Sequence, residues 1–193
     1  MDIFEAVYNR RSIRRYTADP VDNATVNKVL EAGRWAPSWA NTQCWRFVVV
    51  REPDIKAQIG QSLMKTERDG QLVDNPATKT INDIPVLVVV CAKMGVSGCK
   101  PGATPDGNYV TDKGDWFMFD AALAVQNMVL AAHGLGLGTV IIGAFDARMV
   151  EEILGIPEGY RVVVLFPLGV PAREGKAPPR KELTELVDND RWD

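Results

Sequence analysis

The spacing of apolar and polar residues divides the chain into helices and strands. Apolar side chains that recur every three to four positions predict helices over 2–9, 23–35, 53–64, 115–133 and 146–154. Asp2 and Asp22 stand where the first two helices need N-caps. Runs of β-branched and other apolar residues predict strands over 45–51, 86–92 and 161–168. Helices and long segments separate these strands, so the pattern favours an α+β layered sheet.

Four segments depart from this simple alternation. The helix over 115–133 is apolar on nearly every face, which predicts a central helix packed all round, and Asp120 within it argues against a membrane span. The polar segment 65–84 is predicted to be loop with a short helix. Residues 93–114 carry five glycines and two prolines and predict a long irregular excursion. The tail, 171–193, is rich in proline and charge and is expected either to fray or to wrap a partner.

Composition narrows the function classes. The 193 residues suit a single domain, and the net charge of −3 argues against general nucleic-acid binding by a basic surface. The one histidine, His133, excludes a multi-histidine metal site and is expected to have a structural role at a helix end. The odd set of cysteines (Cys44, Cys91 and Cys99) does not form a disulfide framework. With no targeting segment visible, the expected location is the reducing cytoplasm.

Four arginines stand within residues 10–15, here called the arginine segment. In an extended segment alternate side chains face the same way, so Arg10, Ser12 and Arg14 could converge on one anion. Arginine presents a fixed fork of donors that matches phosphate oxygens, and a serine hydroxyl adds another donor. A solvated basic patch is the open alternative.

Two other motifs offer contacts to a flat polar ligand. The 36–44 loop carries amide and hydroxyl groups that could read the edge of a planar ring, although a capping loop before a core tryptophan, Trp45, is favoured on this segment alone. The glycine run over 134–143 lacks the third glycine of a dinucleotide fingerprint and follows a helix instead of a strand. It therefore predicts helix termination and close packing, with Gly143 leaving room for a flat ligand. Arg180, in the tail, becomes a further candidate binding residue if the ligand is a phosphate.

Taken in order, these motifs resemble the nitroreductase family of FMN-dependent oxidoreductases. The likeness spans nearly the whole chain and rests on Arg10–Arg14, Ala36–Trp45, the long helix ending in Leu135–Thr139, and Pro179–Lys181. It implies a nitroreductase-like α+β layered fold with a central mixed β-sheet flanked by helices. It also implies a domain-swapped homodimer, with two FMN sites at the subunit interface and tails that wrap the partner.

The resemblance also implies which residues bind the cofactor. The phosphate and ribityl chain would be held by Arg10, Ser12 and Arg180. Contacts to the isoalloxazine and ribityl groups would come from Arg11 and Arg14. The loop that reaches the flavin from the other subunit would contribute Pro37, Ser38, Trp39, Asn41 and Gln43. The segment flanking the ring would be Ile141, Ile142 and Gly143.

The implied reaction is a ping-pong transfer of hydride. NADH or NADPH would deliver hydride to flavin N5, and an electron-poor acceptor such as a nitroaromatic or a quinone would then take the electrons. Because the redox chemistry is the flavin's, no catalytic side chain and no metal are expected. A cation near the N1–O2 edge stabilises negative charge there, so Arg14 would raise the reduction potential.

Two departures from the family pattern leave the acceptor open. Cys44 stands where many relatives have proline, and the lid-like excursion over 93–114 carries no assignable motif. Tyr109, Trp116 and Phe117 are candidates for stacking on a substrate, with core packing favoured for the last two. The open alternatives are a related FMN enzyme that performs reductive dehalogenation or flavin degradation, a flavin-storage protein without turnover, and an interaction module without cofactor.

Overall fold

The computed structural model describes residues 1–104 and 107–192 of the chain. Its helices and strands, in chain order, are α1 (Ile3–Asn9), α2 (Asn23–Arg34), β1 (Trp45–Val50), α3 (Pro53–Gln61), β2 (Thr66–Arg68), β3 (Gln71–Val73), α4 (Ala77–Asp83), β4 (Val86–Lys93), β5 (Cys99–Thr104), β6 (Gly107–Tyr109), α5 (Phe117–Gly134), β7 (Gly138–Thr139), α6 (Ala147–Leu154) and β8 (Tyr160–Gly169). Asp2 and Asp22 accept from backbone N–H groups of the first turns of α1 and α2, as N-caps do.

A four-stranded sheet in the order β1-β4-β8-β7 forms the centre of the fold. All its described ladders are antiparallel, and the parallel component expected of a mixed sheet is the single bridge between Ser12 and Thr139. β4 is buried along all but its last residue, as the β-branched run predicts. Its side chains alternate between two hydrophobic clusters: Val88 and Val90 pack with α2 and α5, whereas Leu87 and Val89 pack with α3 and α6. The α+β layered fold is thereby confirmed.

The long helix α5 is packed on one face only, so the prediction of packing all round is wrong for the single chain. Buried residues recur every three to four positions along it, from Asp120 to Ala132. Met118 and Phe119 are instead about half exposed, and Phe4 on α1 is more exposed still. In the part of the chain that the structure describes, no helix has the length and apolarity to cross a membrane. The uncovered apolar side chains leave a face for another protein surface.

Two hairpins replace segments predicted to be irregular. Within 65–84, β2 pairs with β3 around Asp69 and Gly70, both at positive φ, before α4 begins. Asp-Gly is a strong hairpin signal that the polar composition of the segment concealed. Within 93–114, β5 pairs with β6, so this excursion is a hairpin for part of its length.

The three cysteines are free thiols, and two of them belong to the core. Burial, followed by the charge of Glu151, raises the pKa of Cys91 to about 11. Burial and the neighbouring Asp120 raise the pKa of Cys44 to about 12. Cys99 is half-buried and donates its S–H to the carbonyl of Ser97. Both core thiols therefore stay protonated at neutral pH, as expected for inert packing at Cys91.

Stability is expected to fall as the pH rises above 9. Unfolded thiols ionise near their ordinary pKa of 9.0, whereas the folded Cys44 and Cys91 stay protonated until about pH 11 or 12. The unfolded state therefore loses protons first, which lowers the free energy of unfolding. Urea unfolding between pH 8 and 10.5 measures the slope of the free energy of unfolding against pH. Cys44→Ala should make the slope shallower, with Cys99→Ala as the control of smaller effect. An identical slope in wild type and Cys44→Ala would contradict the assignment.

Candidate active site

The arginine segment is fixed against the edge strand β7. The backbone N–H of Ile13 donates to the carbonyl of Thr139 at 2.8 Å, beside the parallel bridge from Ser12 to Thr139. Gly138 makes this approach possible, because a Cβ there would lie only 2.8 Å from Ile13 Cβ. Gly136, with φ +77°, turns the chain at the end of α5. The glycine run therefore ends a helix and provides close packing, as its spacing predicts.

A cavity of about 730 Å³ opens beside this segment and collects five of the predicted site residues. Its lining includes Arg10, Arg11, Ser12, Arg14 and Arg180. Within the described residues, the lining holds seven lysines and arginines against one carboxylate, Glu174. The tail reaches the segment closely at Gly175, where a Cβ would overlap the Cβ of Arg11. The tail residue Arg180 thus lies in the same cavity as arginines that precede it by about 170 positions.

The positive charges in this cavity repel one another. Burial, and then the charges of Arg11 and Arg180, lower the pKa of Arg10. His133 lies close enough that burial and the charges of Arg10 and Arg11 lower its pKa as well. Among residues 1–104 and 107–192, no salt bridge involves an arginine of the cavity. A bound anion would relieve this repulsion, so the cavity has the electrostatics of a phosphate site.

Arg11 also has a structural task that the sequence pattern does not reveal. Its guanidinium donates to the carbonyls of Tyr8 and Arg10 at 2.6 and 2.8 Å. These carbonyls lie at the C-terminal end of α1, where the helix leaves acceptors without partners. Arg11 therefore ties α1 to the arginine segment while it lines the cavity.

The predicted loop residues lie elsewhere. Pro37 is exposed, the Ser38 hydroxyl accepts from the backbone N–H of Gln43, and a single 3-10 turn spans Trp39–Asn41. The alternative of a capping loop before a core tryptophan is confirmed in part, since Trp45 is buried. In the described part of the chain, no residue of this loop lines the arginine cavity. Gln43 instead lines an open groove between α2 and β1.

The segment 141–143 continues from β7, the strand on which the arginine segment packs. Ile142 is buried and exchanges two backbone hydrogen bonds with Leu165. Ile141 and Gly143 on either side of it are exposed. The structure therefore places the arginine segment and the 141–143 segment along the same edge of the sheet, but in the described part of the chain no residue of 141–143 lines the arginine cavity.

Asp120 is the residue near the loop that sequence reasoning missed. This carboxylate is 1% exposed and accepts from Trp39 N–H at 3.1 Å, Thr42 Oγ1 at 3.2 Å and Ser97 Oγ at 2.6 Å. The Sγ of Cys44 lies 3.7 Å away from it. A lone acidic residue inside an apolar helix was the available signal, since a buried carboxylate needs several donors around it.

An aromatic cluster lies next to the loop. The ring centroids of Trp39 and Trp116 are 5.1 Å apart, and those of Trp116 and Phe119 are 5.0 Å apart. Phe117 packs against the hydrophobic core, as predicted. The cluster joins the loop to the exposed start of α5.

Known proteins share the sequence pattern and the fold of this chain. The sequence profile of the nitroreductase family matches residues 7–170. An NADH dehydrogenase of Thermus thermophilus is 30% identical over an alignment of 207 positions, gaps included, that covers 97% of this chain and 95% of the relative. The structure of an FMN-dependent nitroreductase from Clostridium difficile has a TM-score of 0.75 at 23% identity, covering 98% of this chain and 100% of that one.

A second solved structure with a similar fold is that of an enzyme named as a deiodinase. Oxidized iodotyrosine deiodinase, solved with FMN and 3-iodo-L-tyrosine, has a TM-score of 0.77 at 22% identity and covers 98% of this chain and 99% of that one. At these identities the two solved structures show a shared fold. The match of the nitroreductase family profile to residues 7–170 shows more than a shared fold, because it shows family membership. The chain belongs to the nitroreductase family of oxidoreductases, as its motifs predict.

Proposed function

We propose that this oxidoreductase binds FMN, with the phosphate in the arginine cavity. The observation that carries the proposal is the cavity itself, with seven cationic side chains and one carboxylate among the described lining residues. Arg10, Ser12 and Arg180 would hold the phosphate and ribityl chain, since guanidinium forks and a hydroxyl match phosphate oxygens. Arg14 would lie towards the ring, where its charge favours electron density at the N1–O2 edge and raises the reduction potential.

The reaction we propose is the transfer of hydride from NADH or NADPH to an electron-poor acceptor, a nitroaromatic or a quinone. FMN, when bound, supplies this chemistry at its N5 atom. The chain's own residues would bind and orient the cofactor, and the exposed Ile141 and Gly143 would flank its ring. The location we propose is the reducing cytoplasm, because all three cysteines are free thiols.

A second copy of the chain would complete each site. Among the described residues, the 36–44 loop does not line the arginine cavity of its own chain, although the family resemblance assigns both to one cofactor site. Apolar side chains on α1 and at the start of α5 are uncovered, and so are Leu183, Leu186 and Trp192 in the tail. A homodimer in which the tail lies on the partner would bury these side chains and bring the loop to the partner's cavity.

Reductive dehalogenation is the second candidate. The likeness to iodotyrosine deiodinase favours it, because that structure has the same fold and was solved with FMN and an iodinated tyrosine. Such an enzyme would share the arginine cavity with a nitroreductase and differ in the segments that meet the acceptor. In this chain that segment would be the 93–114 excursion.

Binding of FMN is expected to depend on the cavity arginines. The purified chain should show a flavin visible spectrum, alone or after addition of FMN. Arg10→Ala combined with Arg14→Ala removes two charge-assisted contacts worth about 1.5–3 kcal/mol each, so the Kd should rise at least about a hundredfold. Fluorescence titration measures the Kd. The control of equal charge change is Arg68→Ala combined with Arg148→Ala, at two exposed arginines outside the cavity. A chain that binds no FMN would refute the proposal, and unchanged affinity would remove these arginines from the site.

Anaerobic reduction separates the candidate reactions. NADH or NADPH should bleach the flavin absorbance, and a quinone or nitroaromatic should restore it. Restoration by a halogenated phenol with release of halide would favour the second candidate. Slow or absent bleaching by both nicotinamides would instead indicate a flavin-storage protein.

The dimer is expected to depend on the tail. Light scattering on the purified chain should give twice the mass of one subunit. Removal of residues 182–193 takes away Leu183, Leu186 and Trp192 and should shift the equilibrium towards monomer. A monomeric full-length chain that still holds FMN would contradict the shared site.

A further inference from the structure

The carboxylate of Asp120 is surrounded by donors from two separate parts of the chain. It is 1% exposed and lies on α5, a rigid helix with one face in the core. One donor is the backbone N–H of Trp39, one is the hydroxyl of Thr42, and both belong to the 36–44 loop. A third donor is the hydroxyl of Ser97, at 2.6 Å, in the excursion. Bonds to an ionised acceptor are the stronger kind, so this carboxylate is a firm attachment point.

The loop needs such an attachment because its own backbone is unfavourable. Ala40, Asn41 and Gln43 all have positive φ, at 44°, 56° and 47°. Side chains other than glycine adopt this region at a cost in free energy, and the conformation persists only where the surroundings enforce it. Within the loop, the hydrogen bond from Gln43 N–H to Ser38 Oγ closes the turn. The contacts to Asp120 hold the closed turn against the rest of the protein.

Cys44 adds a fourth contact at the end of the loop. Its Sγ lies 3.7 Å from the Asp120 carboxylate. Because burial and this carboxylate raise the pKa of Cys44 to about 12, the thiol keeps the proton that it donates. The loop is therefore held at its start, through Trp39, and at its end, through Thr42 and Cys44.

We propose that Asp120 is the positioning residue of the cofactor site: it holds the 36–44 loop in the strained conformation that presents the loop to the flavin, and it joins the loop to the excursion through Ser97. The proposal rests on the proposed function, in which this loop contacts FMN. Asp120 does not touch the cofactor, because its oxygens are occupied by protein donors and its side chain is buried.

A general role in stabilising α5 is the competing explanation. Asp115 provides the matched control, because it is a carboxylate two residues before α5 that accepts from two backbone N–H groups, those of Gly95 and Phe117. Among the described residues, no hydrogen bond joins Asp115 to the 36–44 loop. If both carboxylates only stabilise α5, Asp115→Asn and Asp120→Asn should have equal effects. If Asp120 positions the loop, only Asp120→Asn should alter the loop.

Hydrogen exchange of the full-length chain, with and without saturating FMN, tests the loop directly. In Asp120→Asn, exchange of the Trp39 and Gln43 amides should rise at least about tenfold, the effect of weakening one charge-assisted bond. Thr42→Val and Ser97→Ala keep the carboxylate and should each give a smaller rise, which keeps the test valid if Asp120→Asn does not fold. Asp115→Asn should leave both amides unchanged. Unchanged exchange in Asp120→Asn, or an equal rise in Asp115→Asn, would overturn the proposal.

FMN titration of the same variants tests the consequence for the cofactor. The Kd should rise about tenfold or more in Asp120→Asn, with a changed visible circular dichroism of the bound flavin, and should stay at the wild-type value in Asp115→Asn. If the wild type binds FMN and Asp120→Asn binds it with the same Kd and the same spectrum, the positioning role is refuted while the proposed function stands. If the wild type binds no FMN, the proposed function fails, and with it the role assigned to Asp120.

Discussion

The attachment of the arginine segment to β7 is the constraint on which the site depends. Ile13 packs on Gly138 and its N–H bonds to Thr139, so the residues on either side of Ile13 are held in an extended path along the sheet edge. That path lets Ser12 and the arginines line one cavity. A side chain at position 138 would push the segment away from the sheet, because interiors packed this closely have no spare volume. The path of the arginine segment is therefore decided by the apolar contact of Ile13 with Gly138, which has no Cβ, rather than by the charges of the arginines.

The single chain leaves much of its apolar surface uncovered, and this is the second constraint. α5 buries one face against the central sheet and exposes Met118 and Phe119 on another. Its sequence is apolar enough for a helix packed all round, which means that its composition fits a larger assembly than one subunit provides. The same reasoning applies to the tail, whose leucines and tryptophan have no core of their own to enter. Both features favour a second copy as the missing surface.

The fold could be predicted from the sequence where a local pattern specifies one structure. It could not be predicted where contacts between distant parts of the chain decide the structure. The caps Asp2 and Asp22 and the β-branched run of β4 each specify a local structure and were predicted correctly. The β2–β3 hairpin was missed because Asp69-Gly70 lies in a polar segment, where turn chemistry is the sole signal. Asp120 was missed because its partners, Trp39, Thr42 and Ser97, are brought to it only by the tertiary fold.

The proposed site has two parts, the arginine cavity and the 36–44 loop held by Asp120, and charge has a different role in each. The cavity arginines form no salt bridge within the described residues, so their charge is available to a ligand, and their mutual repulsion favours one that is anionic. The Asp120 carboxylate is buried and enclosed by protein donors, so it is not accessible to a ligand. A charge that the protein leaves unpaired in a cavity serves binding, whereas a charge that the protein surrounds with donors serves geometry. The net charge of −3 is therefore no argument against the proposed phosphate site, because the location and pairing of the charges matter more than their sum.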